Sequence, residues 1–256
     1  TRLADALNDK DERSTALLGR TFDDIEAPFV SLNTALANDG LLLDVDAIDS
    51  VRPPLHLVFI GSPDATGSFA LRHKIECREG AQLTILEHHR DGGAALDNQF
   101  WHVHLKPGAR MVHIRMQTLD VRHIQFNRTD AVIAGGAEYV RLDIDNGGHY
   151  VRHELNLQLQ GKNAMARSGG VLWAESSTTL DTRLVCRHQA PDTTCNLLWR
   201  GLADGKARAN FFGGIHIDAG ADGSDATLSN KNLLLSAQAQ INTQPALEIH
   251  ADEVKA

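Results

Sequence analysis

The chain has 256 residues, with 33 acidic against 25 basic side chains and a formal net charge of −8. That balance excludes a nucleic-acid-binding surface, which needs clustered Lys and Arg, and the lack of any run of 18 apolar residues excludes a membrane-spanning helix. Three cysteines at unpatterned spacing, Cys77, Cys186 and Cys195, exclude a disulfide framework and point to free thiols in a reducing, cytoplasmic setting.

Residues 1–45 carry the convincing helical periodicity. Leu3 and Leu7 stand at i, i+4, and Phe29, Leu32 and Leu36 follow at helical spacing before an Asp39-Gly40 stop. From Leu41 the pattern changes to short alternating runs such as LHLVFIG, HKIECREG, LTILEHH, FWHVHLKPG and MVHIRMQ, divided by Gly, Pro, Asp or Asn. Each run of five to nine residues reads as a strand closed by a turn. The turns recur: Gly80-Ala81, Gly108-Ala109 and Gly136-Ala137 are 28 residues apart, and Ala164 in GKNAMARS follows Ala137 by 27. A period in this range marks a stacked array whose units cannot bury their own apolar stripe. The predicted fold is mainly β, a parallel β-helix core over residues 46–256 behind a short helical segment over 1–45, with two to four short strands in each coil. An antiparallel β-sandwich or cupin-like fold is the alternative. The sandwich needs no such period, and strands rich in Asn, Gln, His and Thr (HELNLQLQGKN, LSNKNLLLSAQAQINTQ) favour the ladders of a β-helix. At the C-terminus Leu247, Ile249 and Ala251 alternate with Glu248, His250 and Asp252, the pattern of a strand with one buried face; as the end of a solenoid it would be an exposed edge. With Thr1 at one end and this strand at the other, both ends read as trimmed from a longer protein.

Histidine is plentiful, 13 in all. His102-x-His104 puts two imidazoles on one face of a strand and His113 lies across the next turn, a ligand pattern for a cupin-like zinc or iron enzyme. The glutamate such a site needs after its second histidine is missing, since Leu105 to Ala109 stand there. Imidazoles that fill a polar ladder along the β surface are the plainer reading. Cys186-x-His188 and Cys195 place two thiols and an imidazole close in sequence, a candidate ligand set for a metal or for iron–sulfur material. No second Cys-x-x-Cys completes that set, and buried space-filling thiols are the alternative. The chain has no G-x-S-x-G nucleophile motif and no P-loop, and Asp218, Asp222 and Asp225 lack the EF-hand order. No catalytic set stands out.

The C-terminal third carries a family resemblance. Arg208-Ala209-x-Phe211-x-Gly213, Asn232-Leu233-Leu234-Leu235 and above all Pro245-x-Leu247-Glu248-Ile249 with Ala251-Asp252-x-Val254-Lys255 resemble the SufB/SufD scaffold proteins of the SUF iron–sulfur cluster assembly system. Asp181-Thr182-Arg183 and GAQLTILEHH resemble the same family, and the last stretch is closer to its SufD branch. The resemblance runs from about Phe29 to Ala256. It implies a right-handed parallel β-helix flanked by helical domains, the C-terminal one lying beyond this chain. It also implies a non-catalytic scaffold that works with a SufB-like paralogue and a SufC-like ABC ATPase, the ATPase docking mostly through that further domain. On this reading the partner-binding residues are Leu247, Glu248, Ile249, His250 and Val254, which would pair edge to edge with the paralogue. The isolated chain could homodimerise through the same open edge. An iron–sulfur cluster would belong to the assembled complex, with no cofactor held by this chain alone and Cys186, His188 and Cys195 as candidates for any ligand it contributes. The family's interface histidine would fall two positions past Ala256, which itself stands where many relatives carry Cys. The rival reading is the metal-dependent enzyme built on His102, His104 and His113.

Overall fold

The computed structural model describes residues 1–8, 28–48, 53–61, 67–90 and 95–255. Residues 9–27 of the expected helical segment, the Leu7 side chain and Ala256 lie outside the described residues. Two short helices, α1 (Leu3–Asn8) and α2 (Pro28–Leu36), precede the strands β1 (Leu42–Val45), β2 (Leu55–Ile60), β3 (Ser68–Cys77), β4 (Gln82–Arg90), β5 (Leu96–Leu105), β6 (Arg110–Leu119), β7 (Ile124–Ile133) and β8 (Glu138–Gly147). The strands continue as β9 (Tyr150–Leu159), β10 (Met165–Ala174), β11 (Thr179–His188), β12 (Thr194–Ala203), β13 (Arg208–Ile217), β14 (Asp225–Leu234) and β15 (Gln240–Ile249).

Odd-numbered strands form one eight-stranded sheet and even-numbered strands a seven-stranded sheet, each in sequence order. Every neighbouring pair is parallel. The chain therefore alternates between two facing sheets and climbs one coil with each pair of strands, a β-solenoid of about seven turns. That pairing removes the antiparallel sandwich and the cupin-like fold. Each complete coil holds two strands, mostly of ten residues. FWHVHL, read as one strand, is only the second half of β5, because Asp97, Asn98 and Gln99 continue the ladder with β3 and β7. In a stacked coil the backbone is paired by the coils above and below whatever the side chain, so polar residues need not break the strand.

The corners explain the period. Gly80, Gly108 and Gly136 sit at φ +68, +68 and +64°, two residues before a strand. Their N–H groups donate to the corner carbonyls of the next coil, Pro107, Gly135 and Lys162, at 3.0 Å each. Asn163 and Asp192 take the same left-handed position in later coils, at φ 61 and 57°, and Gly223 takes it at 74°; Asn, Asp and Gly tolerate that conformation best. The residue after each is a fully buried small side chain: Ala81, Ala109, Ala137 and Ala164, then Thr193 and Ser224.

Helix α2 covers the outer face of the odd-stranded sheet. Its buried side chains are Val30 and Asn33, while Leu32 and Leu36 of the expected stripe are exposed. The reason is polar: Asn33 Nδ2 donates to the carbonyls of Leu71 and Asn98 at 3.0 Å each, and Asn98 Nδ2 returns a bond to Phe29 O at 2.9 Å. Phe29 still stacks on Phe126 of β7. No described helix is long and apolar enough to cross a membrane.

Candidate functional site

Between the sheets runs a lumen whose first coils are polar. Glu87 of β4 is fully buried and accepts hydrogen bonds from His89 Nε2 (2.5 Å) and His113 Nε2 (2.6 Å). Arg141 Nη1 donates to His113 Nδ1 at 2.7 Å, so His113 is neutral with its proton on Nε2. Arg141 in turn bonds Asp143, Arg115 bonds Asp145 and Gln117, and Gln125 links Arg115, His89 and Asp97. Burial pushes Glu87 upward, but the His113 and His89 hydrogen bonds outweigh it and hold the carboxyl well below its usual range. Burial draws His113 down to about 4.

This arrangement takes apart the expected histidine centre. Trp101, Val103 and Leu105 face the core, so His102 and His104, on alternate positions of β5, face the other way, outside the lumen. His113 points inward and is spent on Glu87 and Arg141. The three imidazoles share no ligand space, and the metal-enzyme reading built on them falls. A cleft between α2 and the outer faces of β5, β7 and β9 has room for about one water.

Among the described residues, the group whose metal-binding atoms converge is Cys186, His188 and Cys195, all within 4.8 Å of one another and all buried. Cys186 and His188 close β11, Cys195 opens β12, and the corner between them turns the chain back on itself. His188 Nδ1 lies 2.7 Å from Thr193 Oγ1. The Cys195 thiol is drawn down to about 6, chiefly by a hydrogen bond with Cys186, while the Cys186 thiol is pushed up by the same contact and by burial. Cys77, the third thiol, is buried and pushed up to about 12 by its surroundings.

The other expected site is the last coil. β15 is the edge strand of its sheet, paired with β13 alone. By register, Leu247 and Ile249 continue the lumen ladder above Ile215 and Ile217. Those two are buried, whereas Leu247 is 53% and Ile249 41% exposed, because no complete coil stacks on them. Leu234 and Leu235 beside them are also half exposed. Glu248 points outward to His216 Nδ1 at 3.1 Å, and His250 is exposed. Val254 instead packs partly buried against the core, because residues 251–255 form another corner: Gly223 N donates to Glu253 O and Ala226 N to Lys255 O. The sequence reading missed the buried Glu87–Arg141–Asp143 network, whose charges look like a solvent face.

Comparison with known families places this solenoid. Residues 59–256 match the model described as SUF system FeS cluster assembly, SufBD core domain. The chain belongs to the SufBD family. It is 27% identical to the iron–sulfur cluster assembly protein SufD of Escherichia coli over 89% of this chain and 55% of that protein. It is 29% identical to a SufBD family protein of Synechocystis over 95% of this chain and 56% of that one, and 25% identical to one of Mycobacterium tuberculosis over 85% and 56%. The chain thus spans about half the length of these SufBD relatives, and its solenoid is their shared core domain.

Proposed function

We propose that this chain is the β-solenoid of a SufD-type scaffold subunit, a non-catalytic partner in iron–sulfur cluster assembly in the cytoplasm. The observation that supports this best is the open last coil. Leu234, Leu247 and Ile249 continue the buried rungs of Ala203, Ile215 and Ile217 and are about half exposed, bordered by β15 and by β14 beyond its pairing with Lys255. Full burial of a Leu or Ile is worth about 1.5–3 kcal/mol, so covering the exposed halves of these three adds roughly 2–4 kcal/mol to an association. An unpaired strand edge supplies backbone hydrogen bonds and register as well. The occupant that fits is a SufB-like paralogue presenting the same kind of solenoid end, its edge strands pairing antiparallel with β14 and β15. A SufC-like ATPase would dock mostly outside this solenoid and would drive movement at the paired edges. Cluster chemistry would sit mainly on the paralogue.

The test is co-purification of the full-length protein with its SufB-like paralogue, wild type against the double variant Leu247→Asp, Ile249→Asp. Wild type should co-elute in a stoichiometric complex, and the variant should keep its far-UV spectrum and elute alone. Undiminished complex formation by the variant would place the interface elsewhere. A wild-type protein that forms only a homodimer in the paralogue's presence would refute the pairing.

A further inference from the structure

Independently of the scaffold reading, we infer that Cys186, His188 and Cys195 form a buried site for one divalent first-row transition ion of the Zn2+ or Fe2+ type. The argument starts from the ladders. The positions stacked on Cys186 are Leu157 and Ile215, those on His188 are Leu159 and Ile217, and those on Cys195 are Ala166 and Ala226. All six neighbours are buried aliphatics, so one coil alone replaces three apolar rungs with two thiols and an imidazole, and their donor atoms meet.

The corner changes at the same coil. The alanine ladder of Ala81, Ala109, Ala137 and Ala164 gives way to Thr193 and Ser224, whose hydroxyls lie 2.9 Å apart. Thr193 Oγ1 donates to Ala190 O at 3.2 Å and Ser224 Oγ to Ala221 O at 2.7 Å. Ser224 gives its proton to Ala221 O, and with the Thr193 proton shared between Ala190 O and Ser224 Oγ, Thr193 accepts from His188, which places the imidazole proton on Nδ1. His188 Nε2 is then a buried lone pair that no N–H or O–H group reaches and that faces the Cys195 thiol. A hydrogen bond that fixes the tautomer and leaves the other nitrogen free is the support a metal-bound histidine needs.

Chemistry and charge select the ion. Two thiolates and an imidazole suit borderline-soft divalent ions rather than Mg2+ or Ca2+. A divalent ion with two thiolates and a neutral imidazole is a neutral unit, which an apolar lumen accepts far better than a net charge. Binding requires both sulfurs as thiolates and sends any proton they still hold to solvent, so the charge balances. Tetrahedral bonds of about 2.0–2.3 Å, the fourth to a water, set donor atoms roughly 3.5 Å apart, so separations of up to 4.8 Å close by about 1.3 Å at most. Enclosed by the aliphatic rungs, the site takes a single ion and excludes a cluster. Thr193 is a positioning residue, acting through His188.

The test uses the full chain, unfolded in guanidinium with chelator and reductant, then refolded with Zn2+ and freed of loose metal. Wild type and the control Cys77→Ala should each retain about one equivalent of zinc. Cys195→Ala and His188→Leu copy the neighbouring rungs, so both should fold and retain none, while Thr193→Val should weaken binding about 10- to 100-fold. Refolding with Co2+ should give wild type the thiolate charge-transfer and intense visible bands of a tetrahedral site, a readout that stands even if a variant fails to fold. Wild type that retains no zinc and gives no such bands would overturn the inference. So would equal retention by Cys195→Ala, or recovery of Cys186 and Cys195 as a disulfide from reductant-free protein.

Discussion

Glu87→Gln tests whether the polar lumen is a closed, dry network. The carboxylate accepts from His89 and His113 on its two oxygens, and Arg115 Nε and Arg141 Nη1 stand 3.7 and 3.8 Å away. The amide of Gln has the same shape but presents an N–H2 to one of two imidazole N–H donors. His113 cannot turn over without facing its other nitrogen's donor, Arg141, and His89 is tied through Nδ1 to Gln125. The substitution also removes the negative charge between two buried guanidinium groups. Removing one member of a buried ionic set costs about 3–5 kcal/mol, because the remaining charges stay buried and uncompensated. At about 2–4 °C per kcal/mol for a chain of this size, the thermal midpoint should fall by roughly 6–20 °C. Differential scanning calorimetry at neutral pH measures this, with urea unfolding as the second reading. A fall of less than about 2 °C would mean that water solvates Glu87 and that the lumen is not sealed.

Three further outcomes follow from the same coordinates. Burial holds His73 and His113 neutral, both drawn down to about 4, with His73 also facing Glu87, His89, Gln99 and Asp39, and His113 facing Arg141, Glu87 and Asp143. Unfolded histidines titrate near 6.5, so the unfolded chain binds the extra protons below that pH; stability should be full above pH 6.5 and drop by on the order of 3 kcal/mol per histidine toward pH 4, and a midpoint constant down to pH 4.5 would contradict it. Gly170→Ala puts a Cβ 2.3 Å from the Trp199 ring and should cost about 1–3 kcal/mol by overpacking. Gly108→Ala meets nothing within 4 Å and should cost only the left-handed backbone strain, about 1–2 kcal/mol, so urea midpoints that reverse this order would refute the packing. Asn33→Ala removes the two donations from α2 to Leu71 and Asn98 and should release the helix, seen as faster amide exchange in β5 with little change in the last coils.

The solenoid was legible because its corners repeat a chemical requirement. A left-handed residue followed by a small buried one reads as Gly-Ala at 80, 108 and 136. The signal fades when the same geometry is met by Asn163-Ala164, Asp192-Thr193 and Gly223-Ser224. Which face of a strand points inward was not legible in the polar coils. In β8, Leu142 and Ile144 alternate with Arg141, Asp143 and Asp145, and amphipathicity alone would bury the aliphatics. The structure does the reverse: Leu142 is 40% and Ile144 36% exposed, while the three charged residues are fully buried. Corner register, set by Gly136 and Ala137, fixes the pleat, and with a period of two it carries the whole set to one side. The same parity turned His102 and His104 away from His113. Cys186, His188 and Cys195 were visible as a loose trio, but their convergence depends on a ten-residue strand ending at His188 and its successor starting at Thr194 on the facing sheet.

The two kinds of lumen suit opposite demands. In the first coils the groups are charged and cross-linked from β4 to β9 by directional bonds, which resist sliding and specify one register. From β10 onward the lumen is mostly Ala, Leu, Ile, Phe and Trp, interrupted by Ser168, Thr182 and the Cys186–His188–Cys195 group, and its last members lie open at Leu234, Leu247 and Ile249. In a stacked array each coil is stabilised by its neighbours, so a coil with one neighbour is less stable than one with two. An apolar end can be extended by any solenoid presenting a matching apolar rung and a strand edge, which a network of fixed charges could not accept without an exact counterpart. The proposed pairing surface thus lies where the interior is apolar, away from the fixed ionic coils.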